Sequence, residues 1–315
     1  MSSSTAFAFA FVSTLASSPL TLPLLEKFPS PVADPPVATP SLSPLMLSTI
    51  PTSRMIAPVE SVAPPEFSMA RTSGSQSPQS GGQLYLQRLA ALRVGKLYTR
   101  LPSDSFREVW QDAAVQPTYE QWRKLLAMES RAVAGRNSDR DLSILLGDSL
   151  SLWYPVDRLK PAQIWLNQGI SGDTTWNILA RLPDLANTRP SEIYLMAGVN
   201  DLKMGASETE IVWNIQRIIT QLQAMHPNAK IVLQSILPTR SPQIPNDQIA
   251  GINRELKAIA QQSGVSFLDL FSQFVDYDGQ ILPEYTTDGI HLSAQGYAAW
   301  QSVFDESSRT VATSN

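Results

Sequence analysis

The chain carries two histidines, His226 and His291, and no cysteine. Thiol nucleophiles, disulfides, thiolate zinc sites and iron–sulfur clusters are therefore outside its chemistry, and a multi-histidine metal site cannot be assembled. Hydroxyl chemistry remains. A serine hydroxyl is a weak nucleophile near neutral pH. It needs a base to take its proton, usually an imidazole held in the right tautomer by a carboxylate. Four blocks hold these ingredients: Gly147-Asp148-Ser149-Leu150, the segment from Asn167 to Thr175, Gly198-Val199-Asn200-Asp201, and Asp288-Gly289-Ile290-His291. Ser149 is the candidate nucleophile and His291 the candidate base. Asp288, three residues before His291, can orient the imidazole from the same turn. An oxyanion developing on an attacked carbonyl needs donors already aimed at it. The N–H of Ser149, a glycine N–H from the second block (Gly169 or Gly172) and the Asn200 amide are the candidates. His226 precedes Pro227 at the end of a long helical pattern, where interaction with the helix dipole accounts for it. The chain has no G-x-S-x-G elbow, which disfavours the α/β-hydrolase fold. It also has no Walker lysine or G-x-G-x-x-G motif. This reading calls for no cofactor and no metal.

These residues need elements to bring them together. Short apolar runs occur at Leu142–Leu146, Ile164–Leu166, Ile193–Ala197, Ile231–Leu233 and Val265–Leu268. Helical patterns lie between them at Thr174–Leu182, Ser207–Met225 and Asp247–Gln262. Ser293 can cap a last helix over Ala294–Phe304. Strands alternating with helices predict a parallel sheet covered on both faces, and such sheets gather function in the loops at the carboxyl ends of their strands. Upstream, Leu86, Leu89, Leu92 and Leu97 recur at near-helical spacing. Ser105-x-x-Glu108 and Thr118-x-x-Gln121 read as capping boxes, each opening a helix.

At its four blocks the sequence resembles the SGNH (GDSL) hydrolase family, over about residues 141–305. The resemblance implies an α/β fold, a three-layer α/β/α sandwich with a five-stranded parallel sheet, and hydrolysis of carboxylic esters through an acyl-serine. By position it makes Ser149 the nucleophile and first oxyanion donor, with Gly172 and Asn200 as the other donors. Asp288 and His291 complete the triad. The family's pattern favours Gly172 over Gly169. The implied partner is a small ester: an acyl ester, an acetylated sugar or a lysophospholipid. A carbohydrate O-deacetylase on the same fold is the nearest alternative, and a binding or scaffold protein without turnover is the alternative from another class. Trp153, after the nucleophile, is a candidate substrate contact. Arg240 is another, facing an anionic head group from the loop Ile236-Leu237-Pro238-Thr239-Arg240. That loop also resembles family members related to platelet-activating-factor acetylhydrolase.

Composition divides the chain. Residues 1–83 hold 13 of the 24 prolines but only 7 charged side chains. They read as a disordered Pro/Ser-rich segment. Its first 25 residues carry no charge and include the apolar run Ala6–Val12, which suits a leader or a membrane anchor, although no Lys or Arg precedes the run and Pro19 and Pro23 interrupt its continuation. Residues 84–140 read as a helical region, 141–305 as the hydrolase domain and 306–315 as a tail. A net charge of -4 and pI near 5.3 argue against nucleic acid as a partner.

Overall fold

In the computed structural model, which describes residues 77–135 and 141–312, the apolar runs become five strands. They are β1 (Leu142–Gly147), β2 (Ile164–Gly169), β3 (Glu192–Met196), β4 (Lys230–Gln234) and β5 (Ser266–Leu268). All neighbouring pairs are parallel, in the order β2-β1-β3-β4-β5. Successive strand residues face opposite sides. Ile144 and Leu146 of β1, with Ile193 and Leu195 of β3, therefore enter one core, whereas Leu145, Tyr194 and Met196 enter the other. With both faces apolar, each needs a helical layer.

The helices, in chain order, are α1 (Gly81–Arg93), α2 (Arg107–Trp110), α3 (Tyr119–Ala134), α4 (Ser149–Leu152), α5 (Thr175–Arg181), α6 (Val199–Lys203), α7 (Glu208–Met225), α8 (Asn246–Gln262), α9 (Phe271–Phe274) and α10 (Ala294–Ala312). Helices α5, α7 and α8 cover the first face, for example through Ile178, Ile215, Ile218, Leu222, Ile252 and Leu256. Helix α10 covers the second with Tyr297, Trp300 and Phe304, which meet Tyr154 ring against ring. This is the three-layer α/β/α sandwich. No helix among the described residues is long and apolar enough to cross a membrane. The leader or anchor reading of residues 1–25 lies outside the described residues.

Local signals were mostly kept. Thr118 and Gln121 form both halves of a capping box, and the Ser207 hydroxyl accepts from the N–H of Glu210. Ser105 is an exception. Its carbonyl accepts from the indole of Trp110 and the amide of Gln87. Phe106, which packs into the N-terminal cluster, takes a left-handed φ of 60° and stands at the cap of α2 instead. Helix α10 also continues to Ala312, past the boundary at 305, so residues 306–312 are helix rather than tail. No glycine or proline intervenes to stop it.

The N-terminal helices are part of the packed molecule. Leu84, Ala91, Tyr98, Trp122, Leu125 and Leu126 form a third cluster, which includes Leu152 of α4 and Ile170 after β2. At its centre the fully buried Arg88 meets Glu129 at 2.6 Å and donates to the carbonyl of Asn167 at 2.7 Å. Strand order places the crossover at β1: the chain leaves it for β2 on one side and returns to β3 on the other. In parallel sheets the crevice at such a switch point is where ligands bind, and the loops after β1 and β3 carry Ser149 and Asn200.

Candidate active site

Ser149 is the first residue of α4, directly after β1. Asp148 caps the turn: its Oδ1 accepts from the N–H of Leu150 at 2.9 Å and its carbonyl from the N–H of Leu152 at 2.9 Å. The Ser149 hydroxyl stands 3.1 Å from His291 Nε2. On the other side of the ring, Nδ1 is 2.7 Å from Asp288 Oδ2. Asp288 Oδ1 also accepts from the N–H groups of His291 (2.8 Å) and Ile290 (3.0 Å). The carboxylate can only accept, so it fixes the proton on Nδ1 and leaves Nε2 as acceptor for the serine O–H. Partial burial pushes the Asp288 carboxyl up, but its bonds from His291 and Ile290 outweigh this and hold it at about 2. The pair is open to solvent, with 44% of the His291 and 54% of the Asp288 side chain exposed.

The structure separates the two glycines. The N–H of Gly169 is taken by the Asn167 side chain at 2.9 Å. A Cβ there would lie 2.3 Å from the N of Leu152, so Gly169 is the contact that lets β2 press against α4. The N–H of Gly172 has no acceptor among the described residues. Asn200, on α6, donates its amide to the carbonyl of Asp173 at 3.0 Å and lies 3.5 Å from Asp148 Oδ2. The serine turn, the second block and the asparagine turn thus meet at one place.

Bonds within these blocks, and from Asn214 and Arg181 outside them, hold this arrangement. Asp201 accepts from the N–H of Thr175 at 2.9 Å and from its hydroxyl at 2.5 Å, and Asn214 donates to the same hydroxyl. Arg181 meets Asp173 at 2.8 Å and donates to the carbonyls of Gly147 and Gln168, the ends of β1 and β2. Asn167 donates to the carbonyl of Ser151 at 2.7 Å. These partners are far apart in sequence or turn on strand order, so no local spacing announces them. Asp148 is 1% exposed. Burial pushes its carboxyl up, the Leu150 N–H pulls it down, Asp173 and Asp201 raise it and His291 lowers it, leaving it at about 7.

The remaining candidates sit as follows. Trp153 packs between the second and third clusters and lines a groove with Tyr98, Leu152 and Val156 that takes in none of Ser149, Asp288 and His291. Arg240 turns its guanidinium to the segment Asp276–Ile281. His226 is buried at the end of α7, just before the amino end of β4, whereas Ser149 follows the carboxyl end of β1, so the two lie at opposite ends of the parallel strands. A cavity of about 10 Å³ is lined by Asp148, Leu150, Val199, Pro238, Thr239 and Ile290, among others. It borders the neighbours of both Ser149 and His291.

Residues 104–299 match the model of the GDSL-like Lipase/Acylhydrolase family. The match begins well before residue 141 and takes in α2 and α3. Over 174 residues the chain is 31% identical to platelet-activating factor acetylhydrolase IB subunit alpha2 of Rattus norvegicus, spanning 51% of this chain and 73% of the relative. It is 28% identical over 186 residues to subunit alpha1 of the same enzyme from Pongo abelii, spanning 55% and 78%. The structure of a GDSL-like lipase from Bacteroides thetaiotaomicron shares the fold with a TM-score of 0.53 and 23% identity, over 60% of this chain and 98% of that one.

Proposed function

Because the chain belongs to the GDSL-like lipase/acylhydrolase family, it hydrolyses acyl esters, and we propose that it cleaves acetyl and other short-chain esters through an acyl-Ser149 intermediate. The observation that carries this is the line from Asp288 Oδ2 through the His291 ring to Ser149 Oγ, with links of 2.7 and 3.1 Å. His291 Nε2 takes the serine proton as Oγ bonds to the ester carbonyl carbon. The N–H groups of Ser149 and Gly172 and the Asn200 amide face the oxygen that becomes negative, where donors contribute most. His291 then gives its proton to the departing alcohol. A water enters, loses its proton to His291 and attacks the acyl carbon; the Oγ–acyl bond then breaks, His291 returns the proton to Oγ and the acid is released. Asp288 stays ionised and holds the ring.

The acetyl preference is read from the relatives, which are named as acetylhydrolases. Exposure of the His291 and Asp288 side chains leaves the alcohol side open, which favours an acetylated sugar or a lipid as readily as a small alcohol.

The test is an ester panel with acyl groups from acetyl upward, including acetylated sugars and a lysophospholipid, together with Ser149→Ala and a fluorophosphonate label. Turnover should be highest for acetyl esters. The label should attach to wild type and not to the variant, and Ser149→Ala should lower kcat by about 10⁴-fold or more. Retention of more than about a tenth of wild-type turnover, far outside that range, would remove the acyl-serine route. A preference for long acyl chains would remove the acetyl reading.

A further inference from the structure

Arg240 stands where the loop leaving β4 meets the loop that delivers His291. Its backbone N–H donates to the carbonyl of Gly289 at 2.8 Å. Its guanidinium reaches the start of the same excursion: Nε donates to the carbonyl of Ile281 at 2.7 Å, Nη1 to Gln280 Oε1 at 2.9 Å and Nη2 to Asp276 Oδ2 at 2.5 Å. Asp276 Oδ1 in turn accepts from the N–H groups of Asp278 and Gln280, both at 2.9 Å, which closes the turn on itself. Gly289 permits the close approach, since its φ is +92° and a Cβ there would lie 3.2 Å from the Cβ of Arg240.

The pair served by this loop has little packing of its own, with about half of each side chain exposed. The carbonyl of His291 is held by the hydroxyl of Thr286 at 2.8 Å and the N–H of Thr287 at 2.9 Å. Those bonds shape the turn, but they do not fix it relative to Ser149, which follows β1 at the start of α4. Arg240 does, because it grips both ends of the excursion from the end of β4, two strands away in the sheet. We propose that Arg240 is a positioning residue that keeps His291 Nε2 within reach of the Ser149 hydroxyl, rather than a contact for an anionic substrate. This rests on the reading of His291 as the base.

The experiment compares Arg240→Ala, Arg240→Lys, Asp276→Asn and His291→Ala on a neutral acetyl ester and on an anionic one. Melting temperature is measured on the same preparations. Asp276→Asn keeps an oxygen for the turn's N–H groups while removing the charge facing Nη2, so it carries the test if Arg240→Ala does not fold. Displacing a reacting group by about 1 Å costs on the order of 10²-fold. Arg240→Ala should therefore lower kcat by about 10–100-fold on both esters with KM nearly unchanged. The rate of fluorophosphonate labelling should fall in parallel, Arg240→Lys should recover part of the loss, and Asp276→Asn should move the same way. Wild-type kcat in folded Arg240→Ala, beside an inactive His291→Ala, would overturn the positioning role alone. A rise in KM confined to the anionic ester would overturn it in favour of substrate contact. An active His291→Ala would overturn the base assignment itself, and the positioning role with it.

Discussion

Asp148 precedes Ser149 and Asp288 meets His291, and their surroundings push the two carboxyls in opposite directions. Asp288, half exposed and bonded by His291 and Ile290, sits at about 2. Its contribution to stability is present above the ordinary carboxylate value of about 4 and is lost as the pH falls toward 2. Asp148, buried and beside two further carboxyls, sits at about 7. Between about pH 4 and pH 7 the folded chain holds a proton there that the unfolded chain has released, so this residue makes stability fall as pH rises through that window. Asp148→Asn should flatten that fall. The check is the melting temperature of wild type and variant at intervals from pH 4 to 8, with the gap between them widening in the variant's favour as pH rises. Two parallel profiles would show that Asp148 does not carry the dependence.

Among the elements, α1 and α3 do more than extend the chain ahead of the sheet. Their cluster includes Leu152 of the serine helix and Ile170 of the second block. Arg88, from α1, meets Glu129 of α3 and the carbonyl of Asn167 in β2, and the Asn167 side chain holds the carbonyl of Ser151. Both charges of the pair are buried, with side-chain exposures of 0% and 2%. Removing one partner leaves the other charged and dry, which typically costs about 3–5 kcal/mol. Glu129→Ala or Arg88→Ala should each lower unfolding free energy by about that much in urea titrations. The double replacement Arg88→Met with Glu129→Leu should be far less damaging, since apolar residues of similar volume often substitute for a buried pair without loss. Equal damage from the double and single replacements would mean that the bond to Asn167, not charge pairing, is what matters.

For the whole molecule, the useful boundary lies just before α1. Ser80 caps that helix through the N–H of Gln83, and Arg88 follows within it. A chain beginning at Ser77 should keep wild-type kcat and melting temperature. A chain beginning at Gly95 should lose soluble folded protein, because Glu129 would stay buried without its cation. Thermal melts and turnover on both forms decide this, and a loss of kcat in the longer form would show that residues before Ser77 take part. What the sequence determined by itself was whatever short spacing encodes. The five apolar runs became the five strands, because a strand buried on both faces is written as a short continuous apolar run of neighbouring residues. Asp288 and His291 were readable as a pair because three residues fit one turn. The Thr118 box was readable for the same reason, whereas Ser105 lost its cap to the packing of Phe106. Tertiary structure decided the rest. The Gly169 N–H found its acceptor in the Asn167 side chain only once β2 had formed. The direction of Arg240 turned on Asp276, 36 residues away, and the Arg88 pair spans 41 residues. No sequence period connects such positions. They meet because the order β2-β1-β3-β4-β5 brings the loops together, and a buried charge or N–H must then find its partner among whatever the fold has placed beside it.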